Sequence, residues 1–343
     1  MRPLRIKYEA ERKALERFLA KHALLYEEDI DAAFGVYDLA GALRACGCAA
    51  GSLLKCFAAE DTLRGQNVLG PLVSALMQNR FSRGIYDIFV VTRAKNEPLF
   101  AACGLYPVAR SSELAMMENR RNGPAAFFQR CLREEDAGKT AGAIVMNANP
   151  FTLGHRFLVE YAAARCDVLY VFVVEEDRSF FPSDVRYRLV RDGTADLPNV
   201  RVHYGGHYMI SGATFPTYFL KKEEPATALQ AELDAILFAE SIAPVLHITN
   251  RFAGSEPDDA VTALYNETMR TVLPARGIAF TEVPRYEIGG QAVSASLVRE
   301  KLRSGEPLAN FAALLPPVTR AYLENEPARE KKTGASAHAS ESG

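Results

Sequence analysis

Apolar residues in this chain follow two rhythms, and the change between them divides it. In the second half, short continuous apolar runs alternate with amphipathic segments. The runs predict strands at 143–146, 168–174, 200–203, 245–249 and 279–283. The segments between them predict helices at 154–165, 183–192, 226–241 and 258–273, and Leu229, Leu233, Ile236 and Leu237 keep one face of the third apolar. Regular alternation of strand and helix predicts a Rossmann-like doubly wound parallel sheet. Two more helices, at 294–303 and about 317–324, close it.

The first half is more irregular and reads as an α+β unit. Residues 1–21 predict a charged amphipathic helix with Leu15, Phe18 and Leu19 on one side. Strands are predicted at 34–39 and 50–57 with a turn between, and at 86–91. Leu69, Leu72, Val73, Leu76 and Met77 recur at helical spacing. A short helix at 98–103 ends at Gly104, and 124–135 reads as a connecting helix. The small and polar run Asp136-Ala137-Gly138-Lys139-Thr140 sets the boundary between domains at 1–135 and 136–325. Residues 326–343 carry no bulky apolar side chain and predict a disordered tail.

Composition narrows the function. A formal net charge of −2 gives no basic surplus for nucleic acid, and no apolar run approaches the length of a membrane span. The N-terminus lacks a signal peptide's apolar core. The 6 cysteines form no Cys-x-x-Cys pair, so neither zinc nor a disulfide framework is expected, and a reducing cytoplasm fits. His203 and His207 flank Gly205-Gly206 but bring no carboxylate or cysteine partner, so no metal ligands are expected there.

Three clusters carry the chemistry. The first is Met146-Asn147-Ala148-Asn149-Pro150-Phe151-Thr152-Leu153-Gly154-His155, where a buried strand stops and a helix opens. A helix start offers unpaired N–H groups and the positive end of the helix dipole to an anion. Gly154 has no Cβ to keep a phosphate away, and His155 could hydrogen-bond a phosphoryl oxygen as charge builds. The second cluster is Ser294-Ala295-Ser296-Leu297-Val298-Arg299, two hydroxyls before a helix with a guanidinium one turn on. The third is Arg251-Phe252-Ala253-Gly254-Ser255-Glu256-Pro257, a strand end where Arg251 could face a polyphosphate. Each has a plainer reading: Thr152 or Ser294 as an ordinary helix cap, Asn147 and Asn149 as turn formers, and 251–257 as a loop. No Walker-type loop and no Ser-His-Asp or Cys-His order stands out.

At these clusters the chain resembles the nucleotidyltransferase superfamily that carries a His/Thr-x-Gly-His signature. It is most similar to the citrate lyase ligase branch, through Gly193-Thr194-Ala195-Asp196 and the long Ile210–Phe219 run ending Thr214-Phe215-Pro216-Thr217-Tyr218-Phe219. The first half resembles a GNAT-type acetyltransferase domain at Arg64-Gly65-Gln66-Asn67-Val68-Leu69 and Phe100-Ala101-Ala102-Cys103-Gly104-Leu105. The resemblance implies an ATP-dependent ligase that acetylates a prosthetic-group thiol on the acyl carrier subunit of citrate lyase, through acetyl-adenylate, with AMP and pyrophosphate released. It implies ATP and Mg²⁺, with acetate as small-molecule substrate. His155 and Thr152 would be the catalytic pair. Asn147, Asn149, Gly154, Arg251, Gly254, Ser294, Ser296 and Arg299 would bind the nucleotide, and no protein metal ligand is expected. Where many members of the superfamily have a lysine after the second strand, Arg178, Arg186 and Lys221 are open substitutes. The alternatives are a nucleotidyltransferase joining a nucleoside monophosphate to a phosphorylated small molecule, and an acetyl-CoA-using acetyltransferase. If the first half serves to dock the carrier, its deletion should spare adenylation.

Overall fold

The computed structural model describes residues 2–63, 65–175, 179–209, 215–220, 226–256 and 259–325. Arg64, Arg178, Lys221, Pro257, residues 210–214 and the 326–343 tail lie outside them. The first half forms a seven-stranded sheet from β1 (Leu4–Arg5), β2 (Ala32–Tyr37), β3 (Leu43–Ala50), β4 (Leu53–Ala59), β5 (Phe89–Arg93), β6 (Tyr106–Arg110) and β7 (Leu114–Glu118). Their order is β1-β2-β3-β4-β5-β7-β6. All neighbours are antiparallel except β4 and β5, which pair in parallel through Leu53–Phe89 and Leu54–Val90. Helix α1 (Glu9–Lys21) buries Leu15, Phe18 and Leu19 as its spacing predicts, against Cys46, Cys48 and Cys56. Helices α2 (Leu69–Phe81) and α3 (Glu97–Ala101) complete this half.

Here the sequence expectations need correction. Residues 43–49, expected as part of a turn, belong to β3 (Leu43–Ala50): Ala45, Cys46, Cys48 and Ala49 are small but buried, and small residues give a weak apolar signal. β6 and β7 escaped notice for want of a clear alternation. The expected connecting helix is only one short helix, α4 (Gly123–Phe128), followed by 3₁₀ turns.

The second half is the expected parallel sheet. Strands β8 (Ala141–Met146), β9 (Val168–Val173), β10 (Val200–Tyr204), β11 (Ile248–Gly254) and β12 (Ala279–Val283) run in the order β10-β9-β8-β11-β12. Every pair is parallel. Helices α5 (Leu153–Ala163) and α6 (Ser183–Asp192) pack on one face. Helices α7 (Ala226–Leu237), α8 (Ala243–Leu246) and α9 (Ala260–Val272) pack on the other. The short hairpin β13 (Glu287–Ile288) and β14 (Gln291–Ala292) leads into α10 (Ala295–Arg303), and α11 (Pro317–Asn325) closes the chain.

β11 begins later than the 245–249 run suggests. After a π turn at Phe238–Ile242, residues Ala243–Leu246 stay helical until His247 adopts a left-handed φ of 55°. The strand then alternates Ile248 and Phe252 with polar residues, and Arg251 hides it from a search for continuous apolar runs.

The two sheets share one core. Phe89, Val91, Leu114, Met116 and Phe128 from the first half pack with Tyr170, Phe172, Leu237 and Phe238 of the second. Within this contact the buried Glu118 accepts a hydrogen bond from the Tyr208 hydroxyl at 2.8 Å. Deleting residues 1–135 would strip this apolar surface, so the second half is not expected to stay folded without the first.

Candidate active site

Strand order reverses direction between β9 and β11 around β8, the first strand of this half. In open α/β sheets such a reversal leaves a crevice beyond the carboxyl ends of the strands. A cleft of about 750 Å³ lies there, large enough for a nucleotide. Its lining includes Asn147, Thr152, Gly154, His155, Arg251, Gly254 and Ser294. The three clusters, spread over some hundred and fifty residues of sequence, therefore meet.

Thr152 caps α5. Its hydroxyl oxygen accepts the His155 N–H at 3.4 Å, and its own backbone N–H donates to His155 Nδ1 at 3.1 Å. This reciprocal cap fixes the ring. An Nδ1 that accepts a backbone N–H leaves the proton of the neutral imidazole on Nε2, so the ring presents one N–H donor. The ring stacks on Phe151, whose carbonyl accepts the buried Thr319 hydroxyl of α11 at 2.8 Å. Burial, then the Arg299 charge, hold the His155 pKa down at about 4. The plain-cap reading is thus half right: Thr152 is a cap, but His155 is a half-buried ring that lines the cleft.

Gly154 is needed for a reason the sequence did not disclose. A Cβ built on it would stand 2.6 Å from the backbone carbonyl oxygen of Val293. The starts of α5 and α10 therefore touch, main chain to main chain, and Gly154 permits it. Ser294 caps α10, its hydroxyl accepting the Leu297 N–H at 3.1 Å. Arg299 bridges the two segments: Nη1 donates to the Asn149 carbonyl at 2.6 Å and Nη2 to the Ser296 hydroxyl at 2.9 Å.

The remaining expected residues separate. Asn147 faces the cleft, and its side-chain oxygen accepts from Arg186 Nη1 at 2.6 Å. Asn149 is turned inward, 8% exposed, with its Oδ1 accepting the Phe181 N–H at 2.9 Å, so its side chain braces the turn. Gly254 sits on the rim with open space beside it, and its carbonyl accepts from Asn266. Arg251 enters from the α7 and α9 face of the sheet, opposite α5. The Gly193–Asp196 run lies outside the cleft: Asp196 holds Arg156 of α5 in a two-pronged pair at 2.6 and 2.7 Å, which lowers the Asp196 pKa to about 2.

Arg186, expected as either a surface base or a substitute for the superfamily lysine, is a structural tie beneath the cleft. It is 0% exposed and donates to the carbonyls of Asn147, Val174 and Phe181, tying the ends of β8 and β9 together beneath the cleft. A helix-start arginine gives no sequence signal of burial. Also missed were the Arg285–Glu256 ion pair and the Phe157–Tyr286 stack, all four residues of which line the cleft. Among the described residues no three His, Cys, Asp or Glu side chains group as metal ligands. No described helix is long and apolar enough to cross a membrane.

The two half-buried imidazoles make a prediction about pH. His203, like His155, is held at about 4, first by burial and then by Arg133 and Arg201. An unfolded histidine takes its proton near 6.5, so between 6.5 and 4 the unfolded chain binds more protons. Stability should therefore fall as pH drops through that window, with Glu118, whose pKa burial raises, opposing it. The melting temperature of His155→Asn should vary less with pH there than that of the parent. An equal slope would mean that the His155 ring is not held neutral.

Comparison with known proteins agrees with this geometry. The family described as the citrate lyase ligase C-terminal domain matches residues 141–323. The chain is similar to citrate (pro-3S)-lyase ligase of Klebsiella pneumoniae, 40% identical over 323 residues that cover 93% of this chain and 94% of that protein. The Escherichia coli K12 protein of the same name is 38% identical over 82% of each chain. That of Haemophilus influenzae is 35% identical, covering 90% of this chain and 94% of its own.

Proposed function

The chain belongs to the citrate lyase ligase family, and from that premise we propose that it activates acetate with ATP and passes the acetyl group to a thiol on the acyl carrier subunit of citrate lyase. The observation that carries this is the meeting of two helix starts and one imidazole N–H in a single cleft. Such an arrangement suits a polyphosphate, because oriented N–H groups and helix dipoles stabilise anions without having to reorganise.

In this reading an acetate oxygen attacks the α-phosphorus. The bond to the β-phosphate breaks, pyrophosphate leaves with the electron pair, and acetyl-adenylate remains. His155 donates through Nε2–H to the phosphoryl oxygens as their charge grows. Thr152 and Gly154 hold that ring and the α5 start in place. Ser294, Ser296 and Arg299 serve the β- and γ-phosphates from α10, and Asn147 and Gly254 border the nucleotide. The carrier thiolate then attacks the acetyl carbonyl, and AMP departs. No protein nucleophile is required; positioning and charge stabilisation supply the catalysis. Mg²⁺ would arrive on the polyphosphate and balance its charge. Residues 136–325 form the adenylylating domain in this scheme. Residues 1–135 brace it and offer the surface for the carrier.

The reading is tested by incubating the protein with ATP, acetate and deacetylated citrate lyase. Recovery of lyase activity, with acetate-dependent exchange of labelled pyrophosphate into ATP, is the expected result. Absence of exchange from folded protein would reject it. A stable dinucleotide-like product in place of a thioester would favour the coenzyme-forming alternative.

A further inference from the structure

The cleft has a second lobe on the sheet face opposite α5. Its walls include Met209, Phe215, Thr227 and Met269, and Arg251 of β11 lies among them only 4% exposed. The guanidinium sits 4.4 Å over the Phe238 ring. Its Nη2 reaches Asp234 of α7 at 3.4 Å, a long single contact. Its Nη1 is buried with no hydrogen-bond partner. A buried guanidinium N–H left unpaired is costly, and a planar fork of donors matches a carboxylate. The apolar walls suit a short alkyl group far better than a polyphosphate.

We propose that Arg251 is the binding residue for the acid substrate: its free Nη1 edge takes one carboxylate oxygen of a short-chain carboxylate, whose alkyl end rests on the apolar wall. The inference rests on the ligase reading and refines it, because the sequence had set Arg251 beside the nucleotide. With the lobe empty, the Asp234 pair and the Phe238 ring together hold the guanidinium in place. Because Asp234 engages Nη2, the Nη1 edge is left for a second carboxylate to share the cation. The other oxygen of the acid is then free to attack phosphorus, and the α-phosphate lies between Arg251 on one sheet face and His155 on the other.

The test is acid-dependent pyrophosphate exchange, with acetate and ATP varied separately and folding followed by thermal denaturation with and without ATP. Arg251→Met should raise the KM for acetate about tenfold or more while the KM for ATP stays nearly constant. Arg251→Lys, which keeps charge but loses the fork, should recover only part of that loss. Asp234→Asn removes the competing charge, and the KM for acetate should then stay level or fall. A rise in the KM for ATP alone in the Arg251 variants would return this residue to the nucleotide and overturn the proposal. So would an Asp234→Asn variant impaired for acetate as badly as Arg251→Met, since the pair would then be a structural tie. Wild-type protein without acetate-dependent exchange would instead remove the ligase reading itself.

Discussion

Replacing His155 with alanine is expected to lower ATP–pyrophosphate exchange by about 10²-fold or more, a loss of roughly 3 kcal/mol of transition-state stabilisation. The magnitude follows from the loss of one preorganised donor in a site screened from water. Alanine also removes half of the reciprocal cap with Thr152, which costs about 1 kcal/mol of stability. The two effects can be separated. Asparagine at 155 can place an acceptor near the position of Nδ1, keeping the Thr152 N–H satisfied, but nothing at the position of Nε2. His155→Asn should melt close to wild type and exchange as poorly as the alanine variant. Exchange by His155→Asn within about threefold of wild type would reduce the ring to a cap. The free-enzyme pKa of about 4 adds a second signature: kcat/KM for ATP should show no acidic limb near 6.5 belonging to this ring.

The site was legible because helix starts announce themselves. Thr152 and Ser294 are both caps, and each was visible as a hydroxyl set before an amphipathic run. The parallel sheet was legible for the same kind of reason, since strands buried on both faces read as unbroken apolar runs. What failed were the places where burial and hydrophobicity part company. β3 is buried but built from small residues, β11 is buried but carries Arg251, and α6 begins with a fully buried arginine. Asn149 illustrates a different limit. Its residue type suits a nucleotide contact and a turn brace equally well, and only the Phe181 N–H pointing at its oxygen decides for the brace.

Gly154→Ala is the sharper test of how the cleft is assembled, because two physical arguments give its stability effect opposite signs. Gly154 sits in the first turn of α5 and is not among the residues with a left-handed φ. Helix propensity alone would therefore make alanine stabilising, by up to about 1 kcal/mol. The added methyl would instead meet the Val293 carbonyl oxygen at 2.6 Å, and that oxygen belongs to backbone. It cannot swing aside as the end of a flexible side chain could, so the starts of α5 and α10 must part. Overpacking of this kind costs about 1–3 kcal/mol, which outweighs the propensity gain. Separation by even a fraction of an ångström displaces Ser294 relative to His155, and misplacement of about 1 Å can cost about 10²-fold in rate. The variant is thus expected to melt lower and to lose exchange by a comparable factor, with Arg299 unable to bridge both segments. An alanine variant that melts higher and exchanges normally would show that the two helix starts do not need to touch, and the convergence on which the adenylation scheme stands would lose its structural basis.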